Sequence, residues 1–387
     1  MSRRDIFFIS PLFVLFMLHG LLYYVFPEQH YKIGGGEGGW LPYLKYLFLV
    51  IGLLALVHRN FDLYTATWLI LGCALMVSFF GLQFFWINEG NILLMQLQLT
   101  SLGYFFGPYL VRVFESQRRS RWFIFAVVSI SFVAIAREVA LVEFSSVYSR
   151  SGFRSIGPFV NPNNTGIVVS IVSLIYTYYD RRLIPNLIIA VMCVLILIFS
   201  GSKTAMILYG IGIFLILSFK GKIYFSLFIS LVLAFNVDFL EKFWRLFQLR
   251  EMSFASGNLR FEQFSTFLEK LGDASFFELL FGVSNHSLID NAYLDMMAYG
   301  GVALVFIFLS VQIVSVLICI MYRLNLMLLL HALFFVAMVT TNVPRLWPTG
   351  YMYWALVSIS ILKSLRQESF YVSLKSQCNS EFLSKNW

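Results

Sequence analysis

AYLDMMAYGGVALVFIFLSVQIVSVLICI, residues 292–320, contains a single charged side chain, Asp295. About 20 consecutive apolar residues cross the ~30 Å hydrocarbon core of a bilayer, and a backbone surrounded by lipid satisfies its polar groups only as a helix or a closed barrel. The stretch therefore reads as one membrane span. Similar apolar runs recur near 6–26, 41–57, 64–86, 92–111, 122–140, 164–179, 184–200, 204–219, 223–240, 325–341 and 350–363. The 387-residue chain is 59% hydrophobic and 12% charged, with a mean hydropathy of +0.79; a soluble domain carries roughly 25% charged residues. The sequence predicts an all-α polytopic integral membrane protein with about twelve transmembrane helices, a membrane domain over 1–363 and a polar cytoplasmic tail over 364–387. The short runs 204–219 and 223–240 also fit one re-entrant pair. The first run, behind Arg3 and Arg4, is long for a signal-peptide core and lacks a small-residue cleavage site, so it reads as a retained span.

The net charge of +8 is first a topology signal. With both termini cytoplasmic, Arg59, Arg112, Arg118, Arg119, Arg121, Arg181, Arg182, Lys220, Lys222 and Arg323 all fall in cytoplasmic loops, as the positive-inside rule requires. The short outer loops 87–91 and 342–349 carry no base and one base respectively. No basic run suggests nucleic acid. Cys73, Cys193, Cys319 and Cys378 form no CxxC pair, so neither a zinc site nor a disulfide framework is indicated.

Two outer segments, about 141–163 and 241–291, exceed mere connectors, and loops of that length are usually functional or disordered. They are rich in Phe and Leu, which argues against disorder. In 261–271, Phe261, Phe264, Phe267, Leu268 and Leu271 recur at helical spacing; 241–250 is similar. Both read either as amphipathic helices along the outer membrane–water boundary or as helices packed on the span bundle.

Most of the outer positive charge lies in or beside these segments, at Arg137, Arg150, Arg154, Lys242, Arg245, Arg250, Arg260 and Lys270. In RSIGPFVNPNNTG (154–166), Asn163 or Asn164 is placed to cap the following helix, leaving unpaired N–H groups and a positive dipole end beside Arg154, a cradle for phosphate; the simpler reading is a cap after a Pro turn. Arg137 and Glu138 form either a structural ion pair at the end of the fifth span or a functional one, since charge at membrane depth is expensive. Lys203, in the hairpin Ser200–Thr204, either snorkels to the interface or faces an outward cavity. Residues 282–301 gather His286, Asp290, Asn291, Tyr293 and Asp295. His286 has the chemistry of a base near neutral pH, with a neighbouring carboxylate to orient it, while Asp290–Asn291 also fits a helix cap. Walker, HExxH and GxSxG motifs do not occur.

In combination these pieces resemble the bacterial O-antigen polymerase/O-antigen ligase superfamily of integral membrane glycosyltransferases. The resemblance is carried in order by Arg154, Gly157, Asn161, Pro162 and Asn163; by SGSKTA (200–205); by GNLR (257–260); and by Phe281–Gly282, His286–Ser287, Asp290–Asn291, Tyr293 and Tyr299–Gly301. It covers roughly residues 137–301. Lys203 stands where many relatives carry Arg. His286 lies five residues before Asn291, whereas ligases pair His directly with Asn, which points toward polymerase and leaves the base open between His286 and Asp290.

The resemblance implies a GT-C-like enzyme of the bacterial inner membrane with a periplasmic active site. It would take polyprenyl-diphosphate-linked oligosaccharide as donor and acceptor, without cofactor or metal; membrane lipid and a chain-length-regulating protein are the partners it allows. Arg137, Arg150, Arg154, Asn163, Lys203, Arg245, Arg260, Asn291 and Tyr293 would hold diphosphate or glycan, and His286 with Asp290 would take the acceptor proton. The rivals are an O-antigen ligase or protein O-oligosaccharyltransferase and, outside enzymes, a lipid-linked-glycan flippase. Reporter fusions at Gly257 and Arg119 are expected to report opposite sides of the membrane; the same side for both would overturn the span assignment.

Overall fold

The computed structural model describes residues 63–84, 117–141, 157–159, 161–180, 182–217, 222–223, 255–282, 291–341, 343 and 348–365, with a few positions between 100 and 110. The regular elements among them are helices: α1 (Leu63–Phe84), α2 (Gln117–Leu141), α3 (Pro162–Tyr179), α4 (Leu183–Ser200), α5 (Lys203–Ile216), α6 (Ala255–Gly272), α7 (Phe276–Phe281), α8 (Ala292–Met321), α9 (Asn325–Thr340) and α10 (349–365).

Three stretches, Arg119–Ala140, Leu183–Ser200 and Ala292–Met321, are helices long and apolar enough to cross a membrane. α5, α9 and the Ala66–Ser78 part of α1 are shorter apolar helices. Large apolar side chains point outward along these helices, among them Leu183, Ile184, Val191, Val133 and Phe306. Such a surface is compatible with a membrane protein, whose solvent is lipid.

α3 is the centre of the bundle, in contact with α2, α4, α5 and α9. Every side chain from Asn164 to Leu174 is buried. Its small face, Gly166, Ser170 and Ser173, recurs at helical spacing and lets α5 approach. Ser170 Oγ donates to the Ala205 carbonyl at 3.2 Å, and Ser173 Oγ lies 3.2 Å from the Tyr209 hydroxyl. Small residues and short hydroxyl bonds of this kind bring apolar helices together where lipid offers no hydrophobic drive between them. α4 turns into α5 through Gly201, in the left-handed region at φ 56°, and Ser202, whose Oγ accepts from the Ala205 N–H.

The stretch 292–320, expected as one span, is two helical segments. Gly301 adopts φ 62° and ψ −165°, which breaks α8 into α8a (292–300) and α8b (302–321). The Tyr293 ring stands 6.1 Å from the Phe308 ring, and its hydroxyl donates to Gln312 Oε1 at 3.2 Å. In a straight helix those partners would be about 22 and 28 Å away along the axis, so α8a folds back along α8b. α8b alone still reaches about 30 Å, a full span.

α6 and α7 pack on α8a. Phe267 is fully buried with Ala298 and Tyr299, while Phe264 and Leu268 remain exposed. Of the two readings of the amphipathic stretch 261–271, its helix thus has one apolar edge on the bundle and another facing outward. α7 opens with a capping box in which Glu278 accepts from the Ser275 N–H at 2.8 Å and from its hydroxyl at 2.7 Å; these bonds hold the Glu278 carboxyl below its ordinary range. The predicted spans 6–26, 41–57 and 223–240 (Ile223 apart), and most of 92–111, lie outside the described residues, as does the tail beyond 365.

A Cβ on Gly301 would run into the Leu280 carbonyl group, in a backbone conformation that L side chains resist. Gly301→Ala is therefore expected to destabilise the protein by about 1–3 kcal/mol. Gly272→Ala, where a Cβ meets open space, should stay within about 0.5 kcal/mol. Melting temperatures of the two purified variants check this; equal stability would show that the break is not held by glycine.

Candidate functional site

The ends of six helices meet on one side of the bundle, and the described candidate residues lie there. At the end of α2, Glu138 Oε1 accepts the Gly157 N–H at 3.0 Å, anchoring the turn 157–159 beside the start of α3. Gly157 has φ +64°, and a Cβ there would strike Thr165. From the start of α10, Thr349 Oγ1 reaches Asn164 Oδ1 at 3.5 Å. From the start of α5, Thr204 Oγ1 donates to Thr340 Oγ1 at the end of α9, 3.0 Å away. From the start of α8a, Asn291 Nδ2 donates to the Val339 carbonyl at 2.9 Å. We refer to this as the asparagine end.

The cap of α3 differs from expectation. Asn161, rather than Asn163 or Asn164, is the N-cap: its Oδ1 accepts from Asn163 N at 2.8 Å and Asn164 N at 3.4 Å. Its carbonyl accepts from Thr165 N at 2.9 Å, and Pro162, at the first helical position, has no N–H. The amides of the first turn are thus occupied, and the expected cradle of unpaired N–H groups does not exist. Any phosphate recognition here falls to side chains. Asn291 is the cap at α8a, its Oδ1 accepting from Tyr293 N at 3.0 Å and Leu294 N at 3.1 Å.

Among the other candidates, Arg137 is exposed in the last turns of α2, and Lys203 is exposed at the first position of α5. Asn163 is half-buried at the second position of α3. Tyr293 is half-buried between α8b and α9, its ring 5.8 Å from that of Phe335. Arg260 belongs to α6. Arg150, Arg154, Arg245, His286 and Asp290 lie outside the described residues.

Asp295, which was not singled out for a role, is fully buried on α8a, one helical turn beyond Asn291. A carboxylate in the interior is expensive unless it is paired or hydrogen-bonded, so an acid at that position was the signal for it. Gln312 joins the site because α8 folds back, which no spacing along the chain reveals. Among the described residues no three His, Cys, Asp or Glu side chains gather closely enough to hold a metal ion.

The asparagine end therefore offers exposed cations beside a floor of amide, hydroxyl and phenol groups, the usual chemistry for binding anionic and hydroxyl-rich ligands. Compared with known proteins, the chain matches no family model and no curated sequence. The reading of this end rests on its residues.

Asn161→Ala should lower stability by about 1 kcal/mol, with Asn161→Asp retaining it, as for an N-cap. Asn291→Ala should cost more, about 2 kcal/mol, because it also strips the Val339 carbonyl of a donor. Thermal denaturation measures both; an unchanged Asn161→Ala variant would remove Asn161 as the cap.

Proposed function

We propose that this chain is a membrane glycosyltransferase that joins polyprenyl-diphosphate-linked oligosaccharide repeat units into O-antigen or a related surface polysaccharide at the periplasmic face of the inner membrane. The observation that carries this reading is the gathering of Arg137, Asn163, Lys203, Asn291 and Tyr293 at one end of a helical bundle, with α6, the helix of Arg260, packed on α8a through Phe267. The reading includes a polytopic domain of about twelve spans with both termini cytoplasmic.

In the reaction an acceptor hydroxyl oxygen attacks the anomeric carbon of the donor. The new C–O bond forms as the bond from that carbon to the diphosphate oxygen breaks, and the diphosphate departs with the electron pair. His286 or Asp290 takes the hydroxyl proton. Arg154 and Arg260, supported by Arg137, Arg150, Lys203 and Arg245, neutralise the charge growing on the leaving group, where preorganised donors contribute most. Because the α3 amides are already occupied, that task falls to side-chain cations, above all guanidinium groups, which match phosphate oxygens two at a time.

The break at Gly301 favours a second reading, a lipid-linked-glycan flippase, since discontinuous helices recur in transporters. Such helices come in pairs related by internal symmetry, and among the described residues α8 has no such partner.

Purified protein reconstituted with a lipid-linked repeat unit separates the two. The enzyme is expected to release polyprenyl diphosphate and form a ladder, lost in Arg154→Ala and Arg260→Ala and partly restored by Lys. His286→Ala is expected to lower the rate by about 10²–10⁴-fold if His286 is the base, with Asp290→Asn the variant that moves the role to the carboxylate. A full ladder from both Arg→Ala variants would sink the leaving-group assignment. Passage of the intact lipid-linked unit across the bilayer without transfer would replace the enzyme by the flippase.

A further inference from the structure

The opposite end of the bundle holds two arginines on one buried acid. Asp180, with a side chain 1% exposed, closes α3 and begins the short turn into α4. Its Oδ1 accepts from the Arg182 N–H and Nε, each at 3.1 Å, and its Oδ2 accepts from Arg182 Nε at 3.2 Å and Nη2 at 2.8 Å. Arg121 Nε, from the early turns of α2, stands 2.9 Å from the same Oδ2. The Asp180 carbonyl in turn accepts from the Asn186 amide of α4. The Arg182 guanidinium, ahead of Tyr176 and Arg121, holds the Asp180 carboxyl down to about 2 despite its burial. One negative charge thus fixes two positive ones in place and leaves an excess of positive charge.

The arginines remain accessible: Arg121 is 31% and Arg182 60% exposed. At the same helix ends Trp122, next along α2 from Arg121, and Tyr178, near the end of α3, have exposed rings, and Leu183 and Ile184, the first residues of α4, are 80% and 71% exposed. Trp and Tyr with Arg on a lipid-facing helix end mark the level of the headgroups, and basic sites between helix ends at that level take lipid phosphates.

We propose that Arg121 and Arg182, positioned by Asp180, bind the phosphate of an anionic phospholipid, whose acyl chains run down the exposed face of Leu183 and Ile184. The apolar flank selects a lipid over free phosphate: inorganic phosphate would meet the same guanidinium groups without covering that surface. This site lies at the far end of the bundle from Asn161 and Asn291 and does not depend on the reaction proposed there.

The test is titration of the full chain in detergent with short-chain phosphatidylglycerol, phosphatidylcholine or inorganic phosphate, reading the melting temperature and the lipid retained in native mass spectrometry. Phosphatidylglycerol is expected to be retained and to raise the melting temperature, with neither effect from phosphatidylcholine or inorganic phosphate. Arg182→Gln should weaken phosphatidylglycerol binding about fivefold, the effect of one base near an anionic lipid, and Arg121→Gln with Arg182→Gln should abolish selectivity over phosphatidylcholine. If the double variant does not fold, Arg182→Gln alone decides, because that side chain is largely exposed. Wild-type binding by Arg182→Gln, or an equal effect of inorganic phosphate, overturns the proposal.

Discussion

Helix α3 is enclosed by protein, and the rest of the bundle is arranged by what that enclosure demands. A helix surrounded by other helices must satisfy every polar group from within, and it gains nothing from being strongly apolar. α3 accordingly carries Ser170, Ser173, Thr165 and Asn164 in its buried run, and it is not among the helices apolar enough to qualify as spans by composition. α4, which turns an exposed face outward, is mostly Ile, Leu and Val, with one polar side chain, Asn186, in its first turn and another, Ser200, at its end. The polar content of each helix reports what it faces. The close approach of α5 follows from the small and hydroxyl residues of α3, and the positions of α2 and α9 follow from the helix they must cover.

The same demand fixes both ends of α3 by different chemistry. At its start the orphan amides are closed by a neutral cap, Asn161, with Pro162 removing one donor altogether. At its end a carboxylate, Asp180, stands beyond the last turn. An acid at a helix C-terminus is opposed by the helix dipole, yet this one is held by two guanidinium groups. The forked, charge-assisted bonds from Arg182, roughly twice as strong as neutral ones, with the second positive charge of Arg121 at 2.9 Å, outweigh the unfavourable dipole. Removing both arginines would leave a buried charge uncompensated, which is more serious than never having had it, whereas either one alone still faces the carboxylate.

Much of this arrangement was legible in the sequence. The run 164–179 became the helix Pro162–Tyr179, 184–200 became Leu183–Ser200, and 325–341 became Asn325–Thr340, because apolar runs bounded by charges and breakers leave the chain little choice. The expected cap of α3, Asn163 or Asn164, lies two or three residues past the actual one, Asn161, although Pro162 marks the first helical position and so points to the residue before it. The break in α8 escaped because hydropathy averages over a window while a reversal takes one residue. Gly300–Gly301 next to the acid Asp295, within an otherwise apolar stretch, was the available signal. Of the candidate site, sequence patterning found Asn291 and Tyr293 but not Gln312, whose place depends on a fold-back that spacing does not encode. The roles proposed for Arg150, Arg154, Arg245, His286 and Asp290 rest on residue chemistry and on the family resemblance.

The fold-back changes what Tyr293 does. On a straight span its ring would lie near one end of the helix, far from the polar residue at 312. With α8a reversed, side chains that lean toward a helix N-terminus point from α8a down toward the bundle, and Tyr293 settles between Phe308, Phe335 and Gln312. Asn291 fastens the start of the same segment to the end of α9, and the interlock of Gly301 with Leu280 fastens its other end to α7. α8a is thereby held at both ends and along one side by Phe267 of α6. A segment so constrained holds Asn291, Tyr293 and Asp295 in one fixed relation to the helix ends around them, the kind of preorganisation that lowers the ordering cost of binding.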